Sequence, residues 1–379
     1  MAYLNNDIIN NQVYAIVNAV NEMASGIEDV DVIDTASFID FGNKVLSSSD
    51  ATEQFLNAYL LRIARTYDTF RPYSGKLKDL IYSGEEWGMI VQKIDAEVPD
   101  FVADDTFELV DGQSIDQYIV RKPTGRQKLF VKHATYKNFI TTSKKLLKGA
   151  FLNESAFLAW ARMVAGKMRN KMEFAIENMA RLAIASYMAN AKETQFVHLL
   201  TDYNTEKGGT PLTAAQALLD KDFLAYAAGT MELYSKRLRD LSVSYNGEGV
   251  ERHTPIGEQK FLVFDLFQSR LQHVVQYQAY HKDLVSLGEF VEVSYWQGES
   301  DRDTIKVTVD DGEGGTDEVT IEKIMGFIFD KYALGTHRAE EETLTTPLNA
   351  SGRYFNTFHF AEQLWFNDLS ENGMIFCLD

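Results

Sequence analysis

The sequence predicts an α+β protein. Three observations carry that reading. One long stretch, from Glu154 to about Ala191, keeps helical spacing of apolar residues without a proline. Between Trp87 and about Ile140 the chain changes to short β-rich pieces separated by Pro, Gly and Asp. After residue 210, apolar strands alternate with amphipathic helical segments, and the chain closes on aromatic-dense strand sequence.

The first segment reads as helix, because Ile9, Val13, Ile16, Val17 and Val20 share one face; Gly26 is expected to end it. An acidic connector, IEDVDVIDTASFID, follows. A second helix is expected to start at Asp50, with Glu53 completing a capping signature, and to carry Phe55, Tyr59, Leu60, Ile63 and Tyr67; Pro72 closes the region. These stripes are narrow, so residues 1–70 are expected to serve assembly more than folding.

The pieces MIVQKI, FELV, QYIV and KLFVKHATYKNFITT read as strands of an extended arm, with an acidic tip at 95–116 and a basic return strand. Asn153 is expected to cap the long helix, with Phe157, Trp160, Ala161, Val164, Met168, Met172, Ala175, Met179 and Leu182 along its stripe. Some 38 residues at ~1.5 Å each span about 57 Å. Asp220 or Asp222 starts a helix bearing Leu224, Ala227, Ala228, Met231, Leu238 and Leu241. KFLVFD (260–265), FVEVSYW and MGFIFD (325–330) read as strands, and IKVTV (305–309) with EVTIEKI (318–324) as a hairpin around DDGEGGTD. RYFNTFHFAEQLWF and GMIFCLD are the closing strand pair.

Composition narrows the function classes. Of 379 residues, 45% are hydrophobic, enough for a sizeable core. The lone Cys377 excludes an intrachain disulfide and a Cys-based zinc site, and suits a reducing cytoplasm. The N-terminal sequence has no basic region leading into an apolar core, so it does not read as a signal peptide, and no apolar run reaches the ~18 residues of a membrane span. His253, His273 and His281 lie in no metal-ligand spacing, and DDGEGGTDE lacks the order of a calcium loop. EKGGTPL is not a P-loop, and no GxGxxG or GxSxG occurs. No catalytic, cofactor or metal residue is assigned, and Cys377 reads as a small core residue.

Charge is unevenly placed. The chain carries a formal −18, yet residues 121–192 hold 15 bases and three acids. Within them, Arg121 to Gly149 contains nine Lys or Arg and no acid. Phe130, Tyr136 and Phe139 interleave with these bases as in a single-strand groove, but no nucleic-acid-binding motif accompanies them. The belt from Arg121 to Lys148 is therefore expected to pair with acidic surfaces of neighbouring copies, the acidic N-terminal block above all.

Several segments, in order, resemble one family. ERHTP (251–255), YHKDLV (280–285), YWQGE (295–299), IMGFIFDKYALG (324–335) and YFNTFHFAEQLWFNDLSENG (354–373) are similar to segments of tailed double-stranded DNA phage major capsid proteins, and SGEEWGMIVQKI (83–94) fits the entry to that family's extended loop. The resemblance covers most of the chain from about residue 83. It implies the HK97-like fold: an N-terminal arm (1–83), an extension loop (84–140), a peripheral domain with a spine helix (141–210), an axial domain (211–345) and return strands of the peripheral domain (346–379). It implies no enzyme and no cofactor. The implied partners are further copies in hexamers and pentamers, a separate scaffold protein, a portal and non-specifically packaged double-stranded DNA, with no membrane. The implied location is the virion, after assembly in the host cytoplasm. An encapsulin-like compartment shell is the alternative within the fold. A carbohydrate-active hydrolase, suggested by many carboxylates and 12% aromatic residues, is the alternative outside it.

Overall fold

The computed structural model describes residues 6–23, 31–66, 75–77, 81–82, 91–98, 120–131, 133–161, 166–276, 290–310 and 315–379, with scattered positions between 101 and 118. Three helices open the chain: α1 (Asn6–Met23), α2 (Thr35–Ser47) and α3 (Ser49–Thr66). Helix α2 falls in the segment expected to be a connector. Asp34 caps it by accepting from the Ser37 amide at 2.7 Å, while the Ser37 hydroxyl lies 3.0 Å from the Asp34 amide that donates to it. Helix α3 is capped by Ser48, whose hydroxyl accepts from the Ala51 amide at 3.0 Å, so Asp50 sits in the first turn and is not the cap. Gly26, Tyr67, Pro72 and the side chains of Tyr59, Leu60 and Ile63 lie outside the described residues.

Four strands and three helices follow: β1 (Ile81–Tyr82), β2 (Val91–Glu97), β3 (Thr124–Phe130), β4 (His133–Ser143), α4 (Lys144–Ala150), α5 (Glu154–Ala161) and α6 (Lys167–Ala189). Strands β2 and β3 form an antiparallel hairpin in register from Val91–Phe130 to Glu97–Thr124. KLFVKHATYKNFITT is thus split into two strands, and the described residues of FELV and QYIV are turn or irregular. Asn153 caps α5, accepting from the Ala156 amide at 2.8 Å. The long helical stretch appears as α5 and α6, with residues 162–165, including Val164, outside the described residues. In α6 the buried apolar side chains are Met168, Ile176, Met179, Ala180, Ala183, Ile184, Ala185, Tyr187 and Met188, whereas Leu182 is 45% exposed. Met168 and Met179 of the expected stripe are thus buried, while at its C-terminal end the buried face shifts from Leu182 to Ala183 and Ile184. Its alanines let α6 lie close against a sheet.

The remaining elements are β5 (Phe196–His198), α7 (Leu199–Lys207), α8 (Ala214–Ala217), α9 (Lys221–Arg237), β6 (Gln259–Phe264), α10 (Asp265–Arg270), β7 (Val291–Val293), β8 (Ile305–Asp310), β9 (Thr316–Ile321), β10 (Ile324–Asp330), β11 (Leu334–Thr345), β12 (Tyr354–Asn367) and β13 (Gly373–Cys377). Asp220 caps α9 through the Phe223 amide at 2.8 Å. Strands β8 and β9 pair as the expected hairpin. One sheet has the order β1-β11-β12-β4, the other β5-β13-β10-β6-β7. The two C-terminal strands, expected as a closing pair, lie in different sheets. Strand β12 runs between β11 and β4, while β13 lies between β5 and the wholly buried β10. Cys377 is buried there, and burial pushes its thiol up to about 12.

Two apolar cores result. The larger joins α6, α7, α9 and the five-stranded sheet through Tyr187, Phe223, Trp296, Phe327 and Phe329. The second gathers Val13, Val17, Phe38, Phe41 and Phe55 from the first three helices onto Phe151, Phe157 and Phe355. Its rings touch in series, with Phe55–Phe151 and Phe151–Phe157 centroids both 5.4 Å apart. Each fully buried Phe is worth roughly 1.5–3 kcal/mol. The N-terminal helices therefore complete a core, contrary to the expectation that they serve assembly more than folding.

Candidate functional site: the anchored hairpin

The β2–β3 hairpin is held at its base by charge. The loop from Asp368 to Asn372 connects the two sheets, and its backbone is fixed on both sides. The Asp330 amide donates to the Asn372 carbonyl at 2.9 Å, the Gly247 amide to the Leu369 carbonyl at 2.8 Å, and the Gly373 amide to the Tyr245 carbonyl at 2.8 Å. The Tyr187 hydroxyl donates to the Glu371 carbonyl at 2.8 Å. This framework presents two largely buried carboxylates, Asp368 and Glu371, to the hairpin.

Lys128 of β3 lies 2.7 Å from Asp368 Oδ1, and Lys93 of β2 lies 2.6 Å from Asp368 Oδ2. Ser370 donates its hydroxyl to Asp368 at 2.7 Å. Lys93 also pairs with Glu371, and Lys128 with Glu248. Arg252 pairs with Asp95 of β2 and places its Nε 3.3 Å from Glu371. Burial alone would raise the Asp368 carboxyl, but hydrogen bonds from Lys128 and Lys93 outweigh it and hold the group at about 2. Burial dominates at Glu371 and raises it above the ordinary carboxylate range. Chemically this cluster is a clamp. Asp368 is bound at both oxygens, and Glu371 is engaged through Oε1.

The clamp corrects one expectation. Lys128 was expected to meet a neighbouring copy, but its partners Glu248 and Asp368 belong to its own chain. Arg126 likewise pairs in the hairpin with Glu97 at 2.6 Å. Lys132 lies outside the described residues, whereas Arg121, Lys122, Lys145 and Lys148 show no ion pair with described residues. Phe130 packs on Phe366 of β12 at 5.4 Å, and Phe139 on Phe358 of the paired β12 at 5.5 Å, so both rings contact their own chain. His253 and His273 are exposed and His281 lies outside the described residues. Among the described residues no group of three His, Cys, Asp or Glu gathers as metal ligands, and no helix is long and apolar enough to cross a membrane.

Beyond the clamp the hairpin is apolar and uncovered. Ile94 is 74% exposed, Val98 71%, Phe107 77% and Val120 77%, and Phe101 is fully exposed. Residues 98–116 add six acids and no base. Exposed apolar side chains concentrated in one stretch of the chain mark a contact surface.

The family model of Phi29-like phage major capsid proteins matches residues 15–377. The chain belongs to that family. It is a phage head shell protein and a component of the virion, and shell proteins of this family assemble with further copies and with other phage proteins. Solved structures share its fold. The capsid structure of Staphylococcus phage Andhra matches with a TM-score of 0.54 at 10% identity, covering 81% of this chain and 85% of that one. A chain in the structure of the head fiber and inner core protein gp22 of native bacteriophage P68 matches with a TM-score of 0.55 at 12% identity, covering 83% and 87%. No curated protein shows significant sequence similarity. The α+β, HK97-like fold is thus that of phage capsid proteins, and neither the compartment-shell nor the hydrolase reading receives support.

The sequence motifs that carried the family likeness meet at the clamp. Arg252 comes from ERHTP, and Asp368 and Glu371 come from FNDLSEN. Their mutual pairing was not visible in the sequence. Lys93 and Asp368 stand 275 positions apart, and no local spacing links them.

Proposed function

We propose that this capsid protein closes an icosahedral shell around packaged double-stranded DNA, as hexamers and pentamers tied together by the β2–β3 hairpin. In this assignment residues 84–140 are the extension loop. Residues 141–210 carry the spine helix of the peripheral domain, to which residues 346–379 contribute the return strands. Residues 211–345 are the axial domain, whose sheet takes in β5 and β13. Residues 1–83 are the N-terminal segment. The role is structural, not catalytic. A separate scaffold protein and a portal act with it, assembly takes place in the host cytoplasm, and the net charge of −18 suits a shell that must not adhere to its polyanionic cargo.

The observation that carries the proposal is the combination of a rigid base with an uncovered apolar tip. A free loop would lose much conformational entropy on docking, and a hairpin clamped by Asp368 and Glu371 loses less. The test replaces residues 99–122 with an Asn-Gly turn, which suits a two-residue hairpin connection and leaves the clamp intact. The shortened subunit is expected to melt as the full chain does and to form no heads in electron micrographs. Heads of normal size and number would overturn the proposal.

A further inference from the structure

An uncovered apolar groove lies on the helical face of the four-stranded sheet. Helices α4 and α5, joined by Phe151, Leu152 and Asn153, enclose it, and Leu146, Gly149, Ala150, Ala156 and Trp160 line it, with Lys145 on its rim. Leu146 is 43% exposed. A Cβ at Gly149 would meet no atom within 4 Å, so the groove is open at that point. The face to which it belongs follows from β12. Phe355 shares the second core with Phe151 and Phe157. Ala361 lies on the same face of β12, and its partner on β4, Tyr136, donates its hydroxyl to Met179 Sδ of α6 at 2.5 Å. Helices α4, α5 and α6 therefore cover one face of the sheet together.

This face is basic in a chain that is otherwise acidic. From Lys144 to Lys171 there are seven bases and one acid, Glu154. Glu154 is buried, and its Oε1 accepts from the Tyr14 and Thr35 hydroxyls, both at 2.6 Å. Lys145, Lys148, Lys167 and Lys171 are exposed and show no ion pair with described residues. The groove is thus apolar within and basic around, and three features select its occupant. A phosphate backbone would satisfy the lysines but has nothing to set against Leu146 and Trp160, so the occupant is a protein. The furrow between two packed helices suits a third helix, whose apolar side chains enter it while its acids meet the rim. Helices α4 and α5 have 7 and 8 residues, so the furrow is about 10–12 Å long and takes two helical turns. That is far short of the roughly 800 Å² per partner of a stable interface, which suits a partner that binds many copies weakly and then leaves.

We propose that the groove between α4 and α5 receives a short, acidic, amphipathic helix of the separate scaffold protein, and that the helical face of the subunit looks into the head. This rests on the reading that a scaffold acts with the shell, and it names where that partner docks. An apolar side chain of the scaffold helix enters between Leu146 and Trp160, and its carboxylates approach Lys145 and Lys148. A scaffold must vacate the volume that DNA fills, and a contact made of exposed ion pairs worth ~0–1 kcal/mol each around a small apolar furrow is strong only while many copies act together.

Photo-crosslinking in precursor heads tests this. The full chain with Leu146→benzoylphenylalanine is supplied during phage growth, precursor heads are isolated before DNA entry and irradiated, and the joined peptides are identified by mass spectrometry. The expected product joins residue 146 to a second phage protein that is absent from DNA-filled heads, through a segment with apolar and acidic residues at helical spacing. Adding Lys145→Glu and Lys148→Glu should lower the crosslink yield at least tenfold and leave the subunit Tm within about a degree, because both lysines are exposed. A crosslink to this chain itself would show that a neighbouring copy fills the groove, and the assignment would be overturned. The same follows if the second protein is present in the precursor heads but is not joined to residue 146, or is joined with a yield that ignores the charge reversal; the scaffold reading then stands and the docking site lies elsewhere. Precursor heads that contain no second interior protein would remove the scaffold reading itself.

Discussion

Asp368 decides how the hairpin is held. Its side chain has no solvent exposure, and two lysines and a serine converge on its two oxygens. Removing one member of a buried ion cluster leaves the others desolvated and unpaired, at a cost of about 3 kcal/mol. Asp368→Asn is therefore expected to lower the Tm by several degrees at pH 7. The sign with pH follows from the shift. A carboxyl held at about 2, below its ordinary 3.8, stabilises the folded chain above that ordinary value, and the contribution is lost as pH falls from about 4 through 2. The full contribution is about 2 kcal/mol. Glu371, raised by burial, acts in the opposite sense: it favours the folded state at low pH and loses that effect as pH rises through its raised value. The Tm gap between wild type and Asp368→Asn should narrow below pH 4. A gap that stays constant to pH 2 would show that the charge of Asp368 is not its source. Residue identity alone could not reveal this cluster, because its members come from four separate segments and are ordinary solvated charges in each.

At the scale of elements, legibility followed the strength of the local pattern. Strand β10 was plain because every residue of IMGFIF is apolar or glycine, and all are buried. The caps Asn153 and Asp220 were plain because a cap acts within three residues. Two elements were missed for physical reasons. Strand β11 contains Glu340, Glu341 and Glu342 in succession, which reads as a solvated loop. Among the described residues it is flanked on its outer side by the two-residue β1 alone, and charged residue types in an edge strand disfavour unwanted strand pairing. Helix α2 begins inside IEDVDVIDTASFID, whose acids read as connector, and it contains Gly42, a poor helix former. Gly42 is there because α2 crosses Phe151 closely: a Cβ at that position would lie 2.7 Å from Phe151 Cβ and Cγ. In an open helix Gly→Ala stabilises by roughly 1 kcal/mol. Here Gly42→Ala is expected to destabilise by about 1–3 kcal/mol through overpacking. Thermal melting separates the two, since a raised Tm would show that Phe151 yields freely.

Across the whole molecule, the charge blocks serve two purposes that the sequence merged into one. The belt from Arg121 to Lys148 looked uniform, and the expectation was that all of it meets neighbouring copies. Folding divides it. Arg126 and Lys128 are satisfied within the chain, at the hairpin and its clamp. Lys145 and Lys148, on α4, show no ion pair with described residues. The same division applies to the N-terminal helices, which looked like an arm and instead cover Phe151, Phe157 and Phe355. Removing residues 1–66 should therefore yield a chain that aggregates or melts far below the full subunit, and a truncated chain with an unchanged Tm would restore the arm reading. Charge reversal tests the division of the belt directly. Lys128→Glu sets a new carboxylate against Glu248 and against Asp368, which has no solvent access, so it should lower the Tm by several degrees before any question of assembly arises. Lys148→Glu changes an exposed residue and should leave the Tm within about a degree, because exposed pairs are worth only ~0–1 kcal/mol in a subunit. Its effect should appear in head yield, where the same contact recurs around every ring and small losses accumulate. Melting curves and particle counts on the two variants give opposite patterns if the division is real. Should Lys128→Glu melt like wild type and fail only in assembly, its pairing with Asp368 would be dispensable to the subunit, and the whole belt would again belong to the interface.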